Sequence, residues 1–427
     1  MITKTSFYLY LVLFLSLGSM SLLAQQNAHM VSAANTPQGT ARGIYPGRVV
    51  WVHDSLSAKW DGSSEFWWQD RFTPQPEAVK MLTASLTSLT GEKKEPKAWE
   101  KLFKYFNKSK KNKNKGYTAG EKIAIKINTN NTYAHTDNQE INASPQMVYA
   151  LLRSLIMEAG VPQKNIIVFD ASRFITDNIY NKCHTDFPDV VYLDNVGGDG
   201  RTKSEYVDNA IPYSKDNGRL AKGLVKCAVD ADYLINMALL KGHVGQGVTL
   251  CGKNYYGCTS IDKDWRKNAH DNFNQDRSGK PRYMTFVDFL GHKDLGEKTM
   301  LFMVDGLYGA KAVNGIPTPK WNMAPFSGSW PGSLFISQDG VAIDAVALDF
   351  LSSEWPDMID IAFADSYLVE AALANDPPSK TVYDPERDGT GLKSLGVMEH
   401  WNNAKDKKYS RNLGKKEGIE LIYRYVK

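Results

Sequence analysis

Cysteine is scarce, with four residues in 427: Cys183, Cys227, Cys251 and Cys258. The closest pair, Cys251 and Cys258, has six residues between its members, which fits neither the CxxC spacing of zinc sites nor a ferredoxin run. Disulfides and buried free thiols both remain open. A strong excess of one charge is also missing. The 51 basic and 47 acidic side chains leave a net charge of +4, too small for a chain of this size to carry the electrostatic footprint of a nucleic-acid protein. Long apolar runs are missing beyond the first two dozen residues, so no later stretch is expected to span a bilayer. The one such run, Phe7 to Leu23, follows Lys4 and leads to Leu22 and Ala24 at the −3 and −1 positions of a cleavage before Gln25, the layout of a secretory signal. Residues 1–24 are therefore expected to be a signal peptide and the mature protein periplasmic or secreted, with a retained anchor as the competing reading. No cysteine follows the run, which argues against an N-terminal lipid anchor.

The apolar fraction of 42% is that of a folded protein, and the length allows one large domain with appendages. The segment 25–115 reads as an N-terminal extension. Arg48 to Asp54, RVVWVHD, looks like a strand delivering His53 and Asp54 to its C-terminal end. Glu65 to Arg71, EFWWQDR, offers paired tryptophans, which fill cores more often than they stack on sugars. Pro76 to Leu89 has helical spacing through Val79, Leu82 and Leu86 and stops at Gly91. Lys101 to Lys115 holds seven lysines with Phe103, Tyr105 and Phe106 interleaved, and is read as a solvated Lys/Asn loop.

The main domain, 116–360, opens on KIAIKIN, Lys122 to Asn128, whose alternating isoleucines mark a strand ending in Lys126 and Asn128. Ser144 and Pro145 start a helix with its apolar stripe at Val148, Leu151, Leu152, Leu155 and Ile156, closed by Gly160. NIIVFD, Asn165 to Asp170, is a second strand ending in an acid. Strand, helix and strand make a βαβ unit that puts Asn128 and Asp170 on one edge of a parallel sheet. Val190–Leu193, Tyr233–Leu239, Thr299–Asp305 and Ser333–Ser337 continue the pattern, and Asp339 can cap a helix over Val341–Leu351. The expected fold class is α/β: a mostly parallel sheet with flanking helices, plus N-terminal and C-terminal additions, the latter covering 361–427.

The chemistry concentrates in Leu234 to Thr259, LINMALLKGHVGQGVTLCGKNYYGCT. Gly242, Gly245, Gly247, Gly252 and Gly257 would let backbone N–H groups line a concavity that suits an anion, and Lys241, His243, Thr249, Lys253 and Asn254 stand among them. GVTLCGKN, Gly247 to Asn254, satisfies GxxxxGK, but Asn254 replaces the Ser or Thr that a P-loop needs for magnesium. DPERDG, Asp384 to Gly389, opens like a calcium loop but meets Leu395 where a bidentate glutamate is required, so an acidic turn is the stronger reading.

KIAIKIN with its helix and VFD, then LLKGHVGQGVTLCGKNYYG, MVDGLYG and SQDGVAIDAVALDF, together resemble the family called domain of unknown function 362, in an exported, Bacteroidetes-type form, over roughly Gly120 to Trp355. The resemblance implies that Lys126, Lys241, His243, Thr249, Lys253, Asn254, Asp305, Asp339 and Asp344 occupy family-type positions. Some members carry ferredoxin-type segments, whose clustered cysteines this sequence lacks.

Taken together, a histidine able to move protons and lysines able to hold an anion suit an acid/base step of lyase, epimerase or hydrolase type on an anionic saccharide or other anionic small molecule. His243, Lys241 and Lys253 are the catalytic candidates. Lys126, Asn128, Thr249, Asn254, Asp170, Asp305 and Asp339 are the substrate-binding candidates. Hydrolysis would use Asp170 and Asp305 as a carboxylate pair. The alternatives are a periplasmic protein that binds the same anion without chemistry, and a metal or iron–sulfur linked redox protein with Asp170, Asp305 and His243 as ligands to a divalent metal. No cofactor is assigned, and no nucleic-acid partner is expected.

Overall fold

A computed structural model describes residues 30–216, 218, 220–243, 247–260, 280–357 and 363–426; the expected signal peptide lies outside them. The chain enters the central sheet at once, through β1 (Arg48–His53), a run of β-branched and aromatic residues. Two helices follow, α1 (Gln75–Thr90) and α2 (Glu95–Lys111). Here the expected Lys/Asn loop is corrected. Pro96 stands in the first turn, and Trp99, Leu102, Phe103 and Phe106 recur at helical spacing and are buried, while the lysines occupy the outer face. Asn112, in the left-handed conformation with φ 51°, ends the helix.

The βαβ unit forms as read: β2 (Ile123–Lys126), α3 (Pro145–Arg153, extended by a π-helical turn over Ser154–Glu158) and β3 (Ile166–Asp170), with β2 and β3 parallel. The chain continues through α4 (Asp177–Asp186), β4 (Val191–Asp194), β5 (Thr202–Lys203) and α5 (Lys226–Asp230) to the long strand β6 (Tyr233–His243). A short return strand β7 (Gly247–Thr249) pairs antiparallel with the end of β6, and one turn of helix, α6 (Cys251–Asn254), follows. The chain goes on through α7 (Thr285–Gly291), β8 (Thr299–Ala310), β9 (Ser333–Ser337), α8 (Gly340–Glu354), α9 (Ser366–Ala372) and β10 (Glu420–Tyr425).

The strand order is β10-β1-β9-β8-β6-β2-β3-β4-β5, with β7 attached to β6. Within that path β9 alone runs against its neighbours; every other pairing is parallel. The fold is thus α/β with a mostly parallel sheet, and the segments on either side of the main domain complete that sheet through β1 and β10. Alternate side chains feed two cores. One joins Leu82, Leu86, Trp99, Phe103 and Leu151 to Ile123, Ile125 and Met237, and the other joins Phe286, Val346, Phe350 and Tyr367 to Ala124, Leu234 and Phe335. Trp67 is buried and packs 5.0 Å from Tyr308, so it fills a core; Trp68 is partly buried and stacks 4.8 Å from Phe66. All four cysteines are buried free thiols. No helix among the described residues is long and apolar enough to cross a membrane.

Candidate functional site

The ends of β2 and β3 lie side by side, level with Asn236 of β6, and the longer β6 runs on past them to His243, which lines the same cleft as Lys126 and Asp170. The turn that carries α6 folds back over these strand ends. The resulting cleft is lined by Lys126, Asn128, Asp170, His243, Thr249, Lys253 and Asn254, together with Asn130, Ser172, Tyr256 and Gly257. The cleft is narrow at its base, with about 20 Å³ of enclosed space, and its empty volume reaches about 350 Å³ when the part open to solvent is included, so a ligand larger than water would engage it from the open side.

Lys126 anchors the cleft. Its ammonium lies 3.1 Å from Asp170 Oδ2 and donates to Asn254 Oδ1 at 3.2 Å and to the Ile127 carbonyl. Asp170 also accepts from the amide of Thr129 at 3.0 Å and from the amide and hydroxyl of Ser172 at 3.2 and 3.0 Å. Burial pushes this carboxyl up, but Lys126 and the two amides outweigh it and hold it below its ordinary value. Asn254 is fixed from both sides. Its Oδ1 accepts from Lys126 and from Asn128 Nδ2 at 3.1 Å, and its Nδ2 donates to Asn236 Oδ1 at 2.8 Å. The backbone of Gly257 runs against the ion pair: a Cβ there would stand 2.7 Å from Lys126 Cε and 2.8 Å from Asp170 Oδ1. Glycine is required by this close approach.

Lys253 is half-buried, and its Nζ sits 5.7 Å from the centre of the Tyr256 ring. Burial, reinforced by Arg173 and Lys126, lowers it to about 7. Lys241 is fully buried behind the cleft, with Nζ donating to the Ile141 carbonyl at 3.4 Å; burial and then Lys253 lower it to about 7 as well. Thr249 pairs with Lys241 across the β6–β7 ladder, and its hydroxyl donates to the Gly242 carbonyl at 3.4 Å. Arg173 extends the positive charge, held by Nε on the Asn130 carbonyl at 2.7 Å and Nη1 on the Ser172 carbonyl at 2.9 Å. Asp170 is the one carboxylate among the described lining residues.

Three expectations change. The glycine-rich backbone does not offer free amides where α6 begins: the N–H groups of Cys251 and Gly252 both donate to the Asp344 carboxylate at 2.8 Å, and Tyr367 adds its hydroxyl at 3.0 Å. Asp344 therefore holds α6 in place. Asp305 accepts from the amide and hydroxyl of Ser144 at 3.0 and 2.6 Å, so that Ser144 serves this carboxylate instead of capping α3. Asp305, inside β8, and Asp170, at the end of β3, lie on strands three ladder steps apart, roughly 14 Å at the usual spacing. Paired glycosidase carboxyls stand about 5–9.5 Å apart, so these two are not assembled for hydrolysis. Asp339 is at the opposite sheet edge. Because β9 is reversed, Ser337 pairs with Val49 and Phe302 near the starts of β1 and β8, and Asp339 beyond it caps α8 through the amides of Val341 and Ala342 at 3.1 and 3.0 Å.

His53 and Asp54 end β1, three ladder steps from β6. His53 packs 5.4 Å from Phe326, and burial lowers it to about 4. The DPERDG segment is an acidic turn, with Asp384 Oδ2 accepting from the Gly389 amide at 2.9 Å. No group of three or more metal-binding side chains converges among the described residues. Reading strand ends alone missed Asn130, Ser172 and Arg173, although each follows a strand-end residue within a few positions, a spacing that puts them on the same sheet edge.

The family model described as Domain of unknown function (DUF362) matches residues 123–349, just over half of the chain. The chain belongs to the DUF362 family. The matched stretch begins in β2 and ends in α8, so it contains every element that lines the cleft. Neither the curated proteins nor the solved structures provide a match. For this DUF362 chain, function has to be argued from the site.

Proposed function

We propose that the protein is an exported enzyme that carries out acid/base chemistry on an anionic saccharide or another anionic small molecule at the cleft between α6 and the ends of β2, β3 and β6. The observation behind this reading is charge imbalance in a confined space. Among the described residues, Lys126 and Lys253 line the cleft, Arg173 adds its charge from beside it, and the one lining carboxylate is Asp170, which Lys126 already engages. A carboxylate, sulfate or phosphate would complete the balance in a desolvated setting, where each such contact is worth more than in water. His243 lines the same cleft and supplies an imidazole, a side chain able to take or give a proton. On a uronide, neutralising the carboxylate would acidify the neighbouring C–H, and His243 or a neutral lysine would take that proton; this favours a lyase or epimerase route over hydrolysis.

The test is a screen of uronides, sulfated sugars and phosphate esters with the wild-type protein, followed by His243→Ala and Lys253→Ala on any substrate found. A loss of at least about a hundredfold in kcat is expected for His243→Ala, the usual contribution of one general base. Turnover unchanged in both variants would remove the assignment. A second reading, capture of the anion without chemistry, draws on the hydrogen bonds and ion pair that already engage Lys126 and Asp170. It predicts ligand-dependent thermal stabilisation with no product.

A further inference from the structure

The acid/base reading leaves the division of labour among the lysines open, and their surroundings separate them. Lys126 is saturated by Asp170, Asn254 and the Ile127 carbonyl and is almost entirely buried. Lys241 is enclosed behind the cleft, on the Ile141 carbonyl. Lys253 is different. It lines the cleft, retains exposed surface, has no ion pair among the described residues, and faces other cations, Arg173 and Lys126. An amine in a partly desolvated cleft beside other positive groups is set up as a nucleophile toward carbonyl carbon.

We infer that Lys253 forms an imine with the carbonyl group of an anionic oxo-acid substrate, such as a 2-oxo acid or the open-chain form of a sugar acid. This rests on the anion-binding reading above and adds the substrate's reacting group. The neutral Nζ donates its electron pair to the carbonyl carbon, a C–N bond forms as the C=O π pair moves to oxygen, and a proton passes from nitrogen to that oxygen to give a carbinolamine. A second proton, from solvent, lets that oxygen leave as water while the nitrogen pair freed by the first transfer closes the C=N bond; amine, carbonyl and proton have become protonated imine and water, with no change of oxidation state. Lys126 and Arg173, the cations whose charge reaches Lys253, would attract the substrate's carboxylate. The protonated imine withdraws electrons from the adjacent carbon, whose proton His243, lining the same cleft, is placed to remove. With Lys253 lowered to about 7, its neutral fraction at pH 7 exceeds that of a surface lysine by roughly a thousandfold.

The full chain is incubated at pH 7 with pyruvate and sodium cyanoborohydride, then with glyoxylate as a second probe, and read by intact mass and peptide mapping. The expected result is one reduced adduct per chain, mapped to Lys253 and about tenfold or more reduced in Lys253→Arg, with Lys97→Arg on the exposed face of α2 labelling as wild type. Mapping on the wild-type protein makes the result independent of whether the variant folds. Adducts spread over surface lysines, or none at all, overturn the imine. Thermal stabilisation by lactate, which has the same skeleton without the carbonyl, decides what falls with it. Stabilisation by lactate without trapping of pyruvate retains anion binding and removes the imine, whereas neither stabilisation nor trapping removes both.

Discussion

Two buried ion pairs show how single residues are committed in this fold. Removing Lys126 leaves Asp170 charged and enclosed, and breaking such a pair by deleting one partner costs about 3–5 kcal/mol. Lys126→Ala is accordingly expected to lower the urea midpoint strongly, and adding Asp170→Asn in the same chain to recover part of the loss; a double variant no better than the single one would show that the pair contributes little. The second is His400. Burial alone would lower its pKa, but Asp349, 2.5 Å from Nδ1, and Asp365, 3.3 Å from Nε2, outweigh that and raise it to about 10. A folded-state value above the unfolded one means that the stabilisation is complete below pH 6.5 and fades as pH climbs toward 10. The stability difference between wild type and His400→Gln, followed by urea denaturation across that range, should therefore be largest at the acid end and shrink upward. A difference that grows with pH would reverse the assignment.

Among the elements, α6 depends most on a residue far away in sequence. At four residues it cannot persist by propensity, and Asp344 on α8 supplies what its own sequence lacks by accepting from Cys251, Gly252 and Tyr367. Asp344→Ala is expected to destabilise the protein by at least about 2 kcal/mol, since hydrogen bonds to a charged group contribute about 1.5–3 each and do not add fully. It should also raise hydrogen exchange at Lys253 and Asn254 before the rest of the sheet; uniform exchange would separate α6 from this anchor. The sequence showed Asp344 as a family-type position and the α6 segment as part of the glycine-rich stretch, with nothing to join them. Their contact was invisible because it joins residues more than ninety positions apart. The α2 helix illustrates a different failure. Its apolar stripe was present in Trp99, Leu102, Phe103 and Phe106, but the density of lysine on the outer face masked the period.

For the molecule as a whole, the sheet ignores the borders suggested by composition. β1 lies between β10 and β9, so Val50, Val52 and Trp51 from the N-terminal segment pack within the same layers as the main domain. A fragment spanning 116–360 would expose the free edge of β9 and lose the apolar faces of β1, α1 and α2. It should show no cooperative thermal transition by circular dichroism, whereas a sharp transition near that of the full chain would establish the segment as self-sufficient. The sequence by itself determined the βαβ unit, the strands that end in Lys126 and Asp170, and the helix capped by Asp339, because period-2 and period-3.6 patterns and strand-end polarity are local properties of a chain; the strand read as ending at Asp305 runs on to Ala310. Only the tertiary structure decided the reversed direction of β9, which sends Asp339 to the far edge, and the saturation of Lys126 and Asp344 by partners distant in sequence. Strand direction and hydrogen-bond satisfaction are settled by which neighbours pair and pack, and no single segment carries that information.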